Sequence, residues 1–297
     1  MSVWDWLTGK HSAVHRGAVR ERFAFLGGRR YLADAPYMLP KDDAEMNRLD
    51  FQHFMLRYAL HGNFAAPISS PRAILDVGCG TGRWPIEMAQ QFPGARVIGL
   101  DLVSPATDSH GLPGTHPLNY EFRTGNILEG LDFPDGTFDF VHQRLLIGAI
   151  PAERWPGVVA ELARVTRSGG WVELVEAAPV PGGGPALQAL TSWMIAATAS
   201  RGVDVYICDH IGRFLAQAGM QSVQFRELQL PVGVRGGRIG AMAETNYLAL
   251  FASLRNFILA RQLTSAEHFD SSLESARAEL HHGHYTSPYF VAWGRKS

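Results

Sequence analysis

Five short runs rich in branched and aromatic residues lie between positions 73 and 177: AILDV (73–77), ARVIGLDL (95–102), NYEFRTG (119–125), FDFVHQRL (138–145) and GGWVELVEA (169–177). Stretches with helical periodicity separate them. Connections of that length cross over a sheet rather than turn back in a hairpin. The alternation therefore predicts a parallel sheet with crossover helices, the α/β class. After a break at PVPGGGP (179–185), helical stretches run from Ala186 to about Ser200, Asp209 to Ala218, Ile239 to Leu263 and Ser265 to His281. Two strand-like runs, QSVQFRELQL (221–230) and YFVAWGRK (289–296), complete that half. Upstream, Asp42 followed by Glu45 forms a carboxylate variant of the capping box, with Met46, Leu49, His53, Leu56 and Leu60 on one helical face and Gly62 as the stop. With 297 residues and 46% hydrophobic content, the chain can bury a sizeable core.

The first strand runs into Asp76-Val77-Gly78-Cys79-Gly80-Thr81-Gly82, just ahead of a helix expected to begin near Arg83. Glycines there take backbone angles closed to other residues and let a ligand touch the main chain, with N–H groups and a helix start facing it. The second strand ends in Asp101, where a carboxylate accepts both hydroxyls of a ribose and repels a 2'-phosphate. Together they point to a nucleoside site; the plainer alternative is a tight glycine turn. Dinucleotide binding requires a third glycine where this chain has Arg83, which argues against a nicotinamide dehydrogenase.

The glycine motif resembles the first motif of class I S-adenosylmethionine (SAM) methyltransferases. The resemblance continues in order through VIGLDL, TGNILEGLDFPDGTFDFVHQRLL and LARVTRSGGWVELVEA, then FLAQAGMQSVQ and YFVAWGRK, covering roughly residues 70 to 235 and the last strand. It implies a Rossmann-like, doubly wound seven-stranded sheet with its last strand antiparallel, an N-terminal helical cap over residues 1–70 and a SAM-binding core over 71–297. Helical additions at about 185–201 and 239–282 would form the substrate side. Carried over by position, Gly78, Gly80 and Gly82 would meet the methionyl part of SAM, with Asp76 near its amino group. Asp101 would hold the ribose, Leu102 and Ile127 would flank the adenine, Asn126 would read its edge, and Gln143 would line the methionine side. The stretch YMLPKDDAEMNRLDFQH (37–53) is similar to LaeA-like methyltransferases, many of them tied to secondary metabolism and natural product biosynthesis. By that analogy Tyr37 would lie over the cofactor, with Arg48, Gln52 and His53 alongside. For His53 a satisfied core histidine is the plainer reading, as a salt bridge is for Arg48 and Arg57.

The implied reaction is methyl transfer to oxygen, nitrogen or carbon of a hydrophobic or aromatic small molecule, by in-line displacement driven mainly by proximity. Some families of this class place a catalytic histidine shortly after the fourth strand, where this chain has Ile147-Gly148-Ala149. The remaining candidates are His142, Glu173, Glu176 and Tyr206, each with a structural alternative. Trp193, Met194, Tyr247, Phe251, Phe257 and the aromatic N-terminus (Trp4, Trp6, Phe23, Phe25, Tyr31, Tyr37) offer apolar surface for an acceptor, although aromatic residues at helical spacing usually belong to the core. A formal charge of -1 gives no general attraction to nucleic acid or membranes. No run is long enough for a membrane span. Cys79 and Cys208 have no disulfide or zinc spacing, and the His281, His282, His284 cluster reads as a surface turn, so no metal is expected. A cytoplasmic enzyme is the expectation. The basic RGAVRERFAFLGGRR segment (16–30) could join two subunits or form a solvated helix face. The alternative function is a LaeA-like regulator acting through partner binding, because a fold does not establish turnover.

Overall fold

The protein is described by a computed structural model covering residues 23–33, 37–104 and 116–297. Trp4 and Trp6 lie outside these residues, as does part of the basic N-terminal segment. Its described part, Phe23–Leu26 (β1) and Arg29–Leu32 (β2), is an antiparallel hairpin and not a helix. Gly27 and Gly28, both at positive φ, make its turn, a two-glycine signal that fits the twist of paired strands.

Seven further strands form one sheet: Ala73–Val77 (β3), Arg96–Asp101 (β4), Tyr120–Thr124 (β5), Phe138–Arg144 (β6), Thr166–Ala177 (β7), Gln221–Val232 (β8) and Tyr285–Arg295 (β9). Their spatial order is β5-β4-β3-β6-β7-β9-β8. The first five are parallel, and β9 runs antiparallel to both of its neighbours. Strand order reverses beside β3, and in open α/β sheets ligands bind at such a point, outside the carboxyl ends of the strands.

Among the described residues seven α-helices accompany the sheet: Asp43–Ala59 (α1), Arg83–Gln91 (α2), Trp155–Val165 (α3), Pro185–Ala199 (α4), Ile211–Gln217 (α5), Gly237–Ala260 (α6) and Ala266–His282 (α7). Leu75, Val77, Val141 and Leu174 pack with Trp155, Leu162 and Leu215 of α3 and α5 in one core layer. Ile74, Val97 and Phe140 pack with Trp84 and Met88 of α2 in another. A third cluster joins Met55 and Leu56 of α1 to α4, α6, α7 and Tyr31 of the hairpin.

Helix α1 departs in part from the expected face. Its buried residues are Glu45, Arg48, His53, Met55 and Leu56, whereas Met46 and Leu49 are half-buried. Two charges can go inside because they neutralise each other. Glu45 Oε1 accepts from Arg48 at 2.6 and 3.0 Å, and Glu45 Oε2 accepts from Ser253 Oγ at 2.6 Å. Only half of the capping box forms: Asp42 accepts from the Glu45 backbone N–H, while the Glu45 carboxylate turns inward. His61, not Gly62, takes the left-handed conformation that ends the helix.

Candidate active site

The carboxyl ends of β3, β4, β5 and β6 open into a cavity of about 250 Å3 roofed by α1, α4 and α6. The glycine loop forms its floor. Gly78, Gly80 and Gly82 have φ of +74°, +58° and +80°, so the loop is a left-handed conformation that other residues adopt only under strain. Gly78 and Cys79 donate backbone N–H bonds to Leu100 O of β4, fixing the loop to the neighbouring strand. Cys79 packs beneath it, against the space over Gly99, where burial pushes its thiol pKa well up.

Asp101, at the tip of β4, faces the loop. Its Oδ2 accepts from Gly80 N and its Oδ1 from Leu102 N, both at 2.8 Å. Lys41 Nζ stands 3.5 Å from Oδ1. Burial opposes the charge on Lys41, but Asp101 and Tyr37 beside it leave its pKa raised. Tyr37, Leu102, Asn126 and Ile127 complete this end of the cavity. Asn126 also caps a short turn, its Oδ1 accepting from Leu128 N and its Nδ2 donating to exposed Glu129.

The space over the loop suits the close approach of a nucleoside to the main chain. A Cβ added to Gly80 would meet only Leu49 Cδ1, at 3.7 Å, so the main chain there is bare toward the cavity. At Gly78 the same atom would collide with Leu146 at 2.5 Å. Glycine at 78 serves packing, and glycine at 80 leaves room.

Residues 74–170 match the family described as "Methyltransferase domain". The N-methyltransferase sirN of Leptosphaeria maculans is 30% identical over 225 residues, covering 72% of this chain and 78% of that protein. The chain belongs to the SAM-dependent methyltransferases. This methyltransferase is also 36% identical over 148 residues to the secondary metabolism regulator LAE1 of Cochliobolus heterostrophus, covering 47% of this chain and 45% of that one. It thus spans about half the length of some relatives and about three quarters of sirN. In fold it is similar to a protein of Anabaena variabilis described as a methyltransferase from an antibiotic biosynthesis pathway, with a TM-score of 0.52 at 18% identity over 76% of this chain and 92% of that one.

The structure brings Tyr37, Asp76, Gly78, Gly80, Asp101, Leu102, Asn126 and Ile127 to the cavity wall. It does not bring Gly82, which caps α2 beneath the loop, or Gln143, fully buried on the opposite face of β6 from His142. His142, Glu173, Glu176 and Tyr206 also lie outside the cavity of the methyltransferase. His142 is enclosed within the sheet layer: Nδ1 donates to Asp76 at 2.8 Å, Nε2 lies 3.9 Å from Glu173, and the ring stacks on Trp84 at 3.9 Å. Glu173 accepts from the backbone N–H groups of Ala65 and Ala66, and burial raises its pKa. Tyr206 is 53% exposed on the outer surface. Of the aromatic acceptor candidates, Tyr247 lines the cavity with Met194, whereas Phe251 and Phe257 are core and Trp193 packs on Phe269.

Glu176 is a brace for the loop after β6, accepting from Leu146 N at 2.9 Å and Ile147 N at 3.0 Å. Burial pushes its carboxyl up to about 8 from an ordinary value of 4.5. The folded state therefore keeps a proton that the unfolded chain loses across that interval. Glu176 thus contributes stability that is complete below about pH 4.5 and lost as the pH rises through about 8. Glu176→Gln is expected to flatten this decline when melting temperatures are compared from acid to mildly alkaline pH. Parallel curves for the two proteins would assign the slope elsewhere.

Sequence reasoning passed over Lys41, Arg144, Asn246 and Tyr289, all on the cavity wall. Lys41, Arg144 and Tyr289 lay within stretches quoted for the resemblance without a role of their own, and Asn246 lay outside all of them.

Proposed function

We propose that the protein transfers the methyl group of SAM to a hydrophobic or aromatic small molecule, a secondary metabolite, at oxygen, nitrogen or carbon. One observation carries this reading: a single cavity joins the glycine loop and Asp101 to walls made by Met194, Thr198, Val205, Leu250 and Leu254. When bound, SAM supplies a methyl group on a positively charged sulfur, open to in-line attack. The bare main chain at Gly80 and the carboxylate of Asp101 hold the nucleoside, while Leu102 and Ile127 flank the base. Tyr37 and α1 close the roof against water, and Asp76 serves the amino group of the methionyl end. The apolar walls receive the acceptor.

The chain's own titratable groups favour alignment over proton abstraction. Burial pushes the Tyr37 and Tyr247 phenols up to about 12, so both stay neutral at physiological pH. His53 is pulled down by burial, and its Nδ1 already accepts a bond from Arg144. Holding nucleophile, methyl carbon and sulfur in line then supplies most of the rate. The description of the Anabaena protein, from an antibiotic biosynthesis pathway, and the name of LAE1, a secondary metabolism regulator, support a natural-product role.

Methyl-labelled SAM incubated with a panel of polyketide, indole and terpenoid acceptors tests this function, with label expected in at least one product. The likeness to LAE1 supports a second reading, a regulator that binds SAM and acts through partners. Tight SAM binding without transfer to any small molecule would favour it.

A further inference from the structure

Among the described residues three cations line the cavity, and two have carboxylates. Lys41 faces Asp101, and Arg48 is held by Glu45 at 2.6 Å and by Asn246 Oδ1 at 3.1 Å. Arg144, the last residue of β6, has none. Among the described residues the only hydrogen bond of its side chain runs from Nη2 to His53 Nδ1, at 2.7 Å, and no carboxylate lies within ion-pair distance. Asp76, on the adjoining strand, is occupied by His142.

His53 fixes the guanidinium from behind. Its Nδ1 accepts from Arg144, so the ring proton sits on Nε2, 3.1 Å from Glu87 Oε1. Glu87 is itself held by Arg57 at 3.2 Å and Asn63 at 3.1 Å. A guanidinium carries five N–H donors, and the bond to His53 uses one. The others form the planar fork that accepts a carboxylate in bidentate fashion. A guanidinium keeps its charge even where burial lowers its pKa, and a cation in an apolar enclosure is costly until an anion joins it.

We propose that Arg144, oriented by His53 and Glu87, is the receptor of the cavity for a ligand carboxylate. The inference rests on the SAM reading, because two reactants can bring that group: the methionyl end of SAM, and an acceptor bearing an acid. Either way Arg144 touches a reactant, and His53 acts through it as a positioning residue.

Calorimetry with SAM and decarboxylated SAM, which keeps the sulfonium and the amine, provides the first arm. If the cofactor supplies the anion, the wild-type protein is expected to prefer SAM at least tenfold, and Arg144→Met to reduce the preference below threefold. Arg144→Lys should keep part of it. The second arm adds 4-phenylbutyrate or its neutral amide to protein saturated with S-adenosylhomocysteine and reads the melting temperature. If an acceptor supplies the anion, the acid alone should stabilise the wild-type protein, and the effect should vanish in Arg144→Met. The wild-type comparison needs no variant, so misfolding cannot hide a negative result. Equal affinity for both cofactors with no effect of the acid, or a preference that survives in Arg144→Met, would overturn the inference and leave the SAM reading intact. Failure of the wild-type protein to bind SAM at all would remove both.

Discussion

Valine at Gly80 should abolish measurable SAM binding while leaving a folded protein. Gly80 sits at φ +58° on the cavity wall, and its missing side chain would point into nearly open space, with Leu49 Cδ1 at 3.7 Å as the nearest obstacle. The branched side chain therefore meets little protein. It fills volume a ligand needs, and it adds a left-handed backbone cost of about 1–2 kcal/mol. Gly78 behaves oppositely, because a Cβ there collides with Leu146, so Gly78→Ala should act first on stability. Calorimetric titration with SAM, read beside thermal melts, separates the two. Undiminished affinity in a folded Gly80→Val protein would show that the ligand binds elsewhere.

Asp101→Ala is expected to weaken SAM binding at least tenfold, corresponding to about 1.4 kcal/mol or more. The carboxylate does two things at once. It offers charged acceptors to a ribose, and it already accepts from the backbone N–H groups of Gly80 and Leu102, tying the loop to β4. Its loss also strands Lys41 beside the cavity without its anion. Asp101→Asn keeps the shape but turns one of the two accepting oxygens into an NH2 donor facing a backbone N–H, and removes the charge, so it should not restore binding. An unchanged dissociation constant in Asp101→Ala would remove the assigned role.

Much of the sheet was legible because strand and turn signals are local. AILDV, the glycines after it and the acid near the end of VIGLDL each declare themselves within a few residues; the two strands form where expected, and Gly78 and Gly80, though not Gly82, reach the cavity wall. The hairpin at Phe23–Leu32 was equally local, in its Gly27-Gly28 turn, but it lies in a basic segment whose charges suit a solvated helix face as well. The helical face of α1 was harder to read. A periodicity argument assigns charged residues to solvent, and Glu45 and Arg48 are inside only because each finds the other. The catalytic candidate on β6 failed for a related reason: strand periodicity gives His142 a face but does not show that Asp76 and Trp84 enclose it there, while Arg144, two residues on, reaches the cavity.

The sequence by itself determined the order of strands and helices, the bare loop after β3 and the acid opposite it, since short-range periodicity and glycine geometry encode these. Only the tertiary structure decided which charges meet. Lys41 finds Asp101 across 60 residues, His53 finds Arg144 across 91 and Glu45 finds Ser253 across 208. Those encounters follow from how the helices pack over the strand ends, and such packing fixes which side chains are desolvated together and which cation is left facing the cavity.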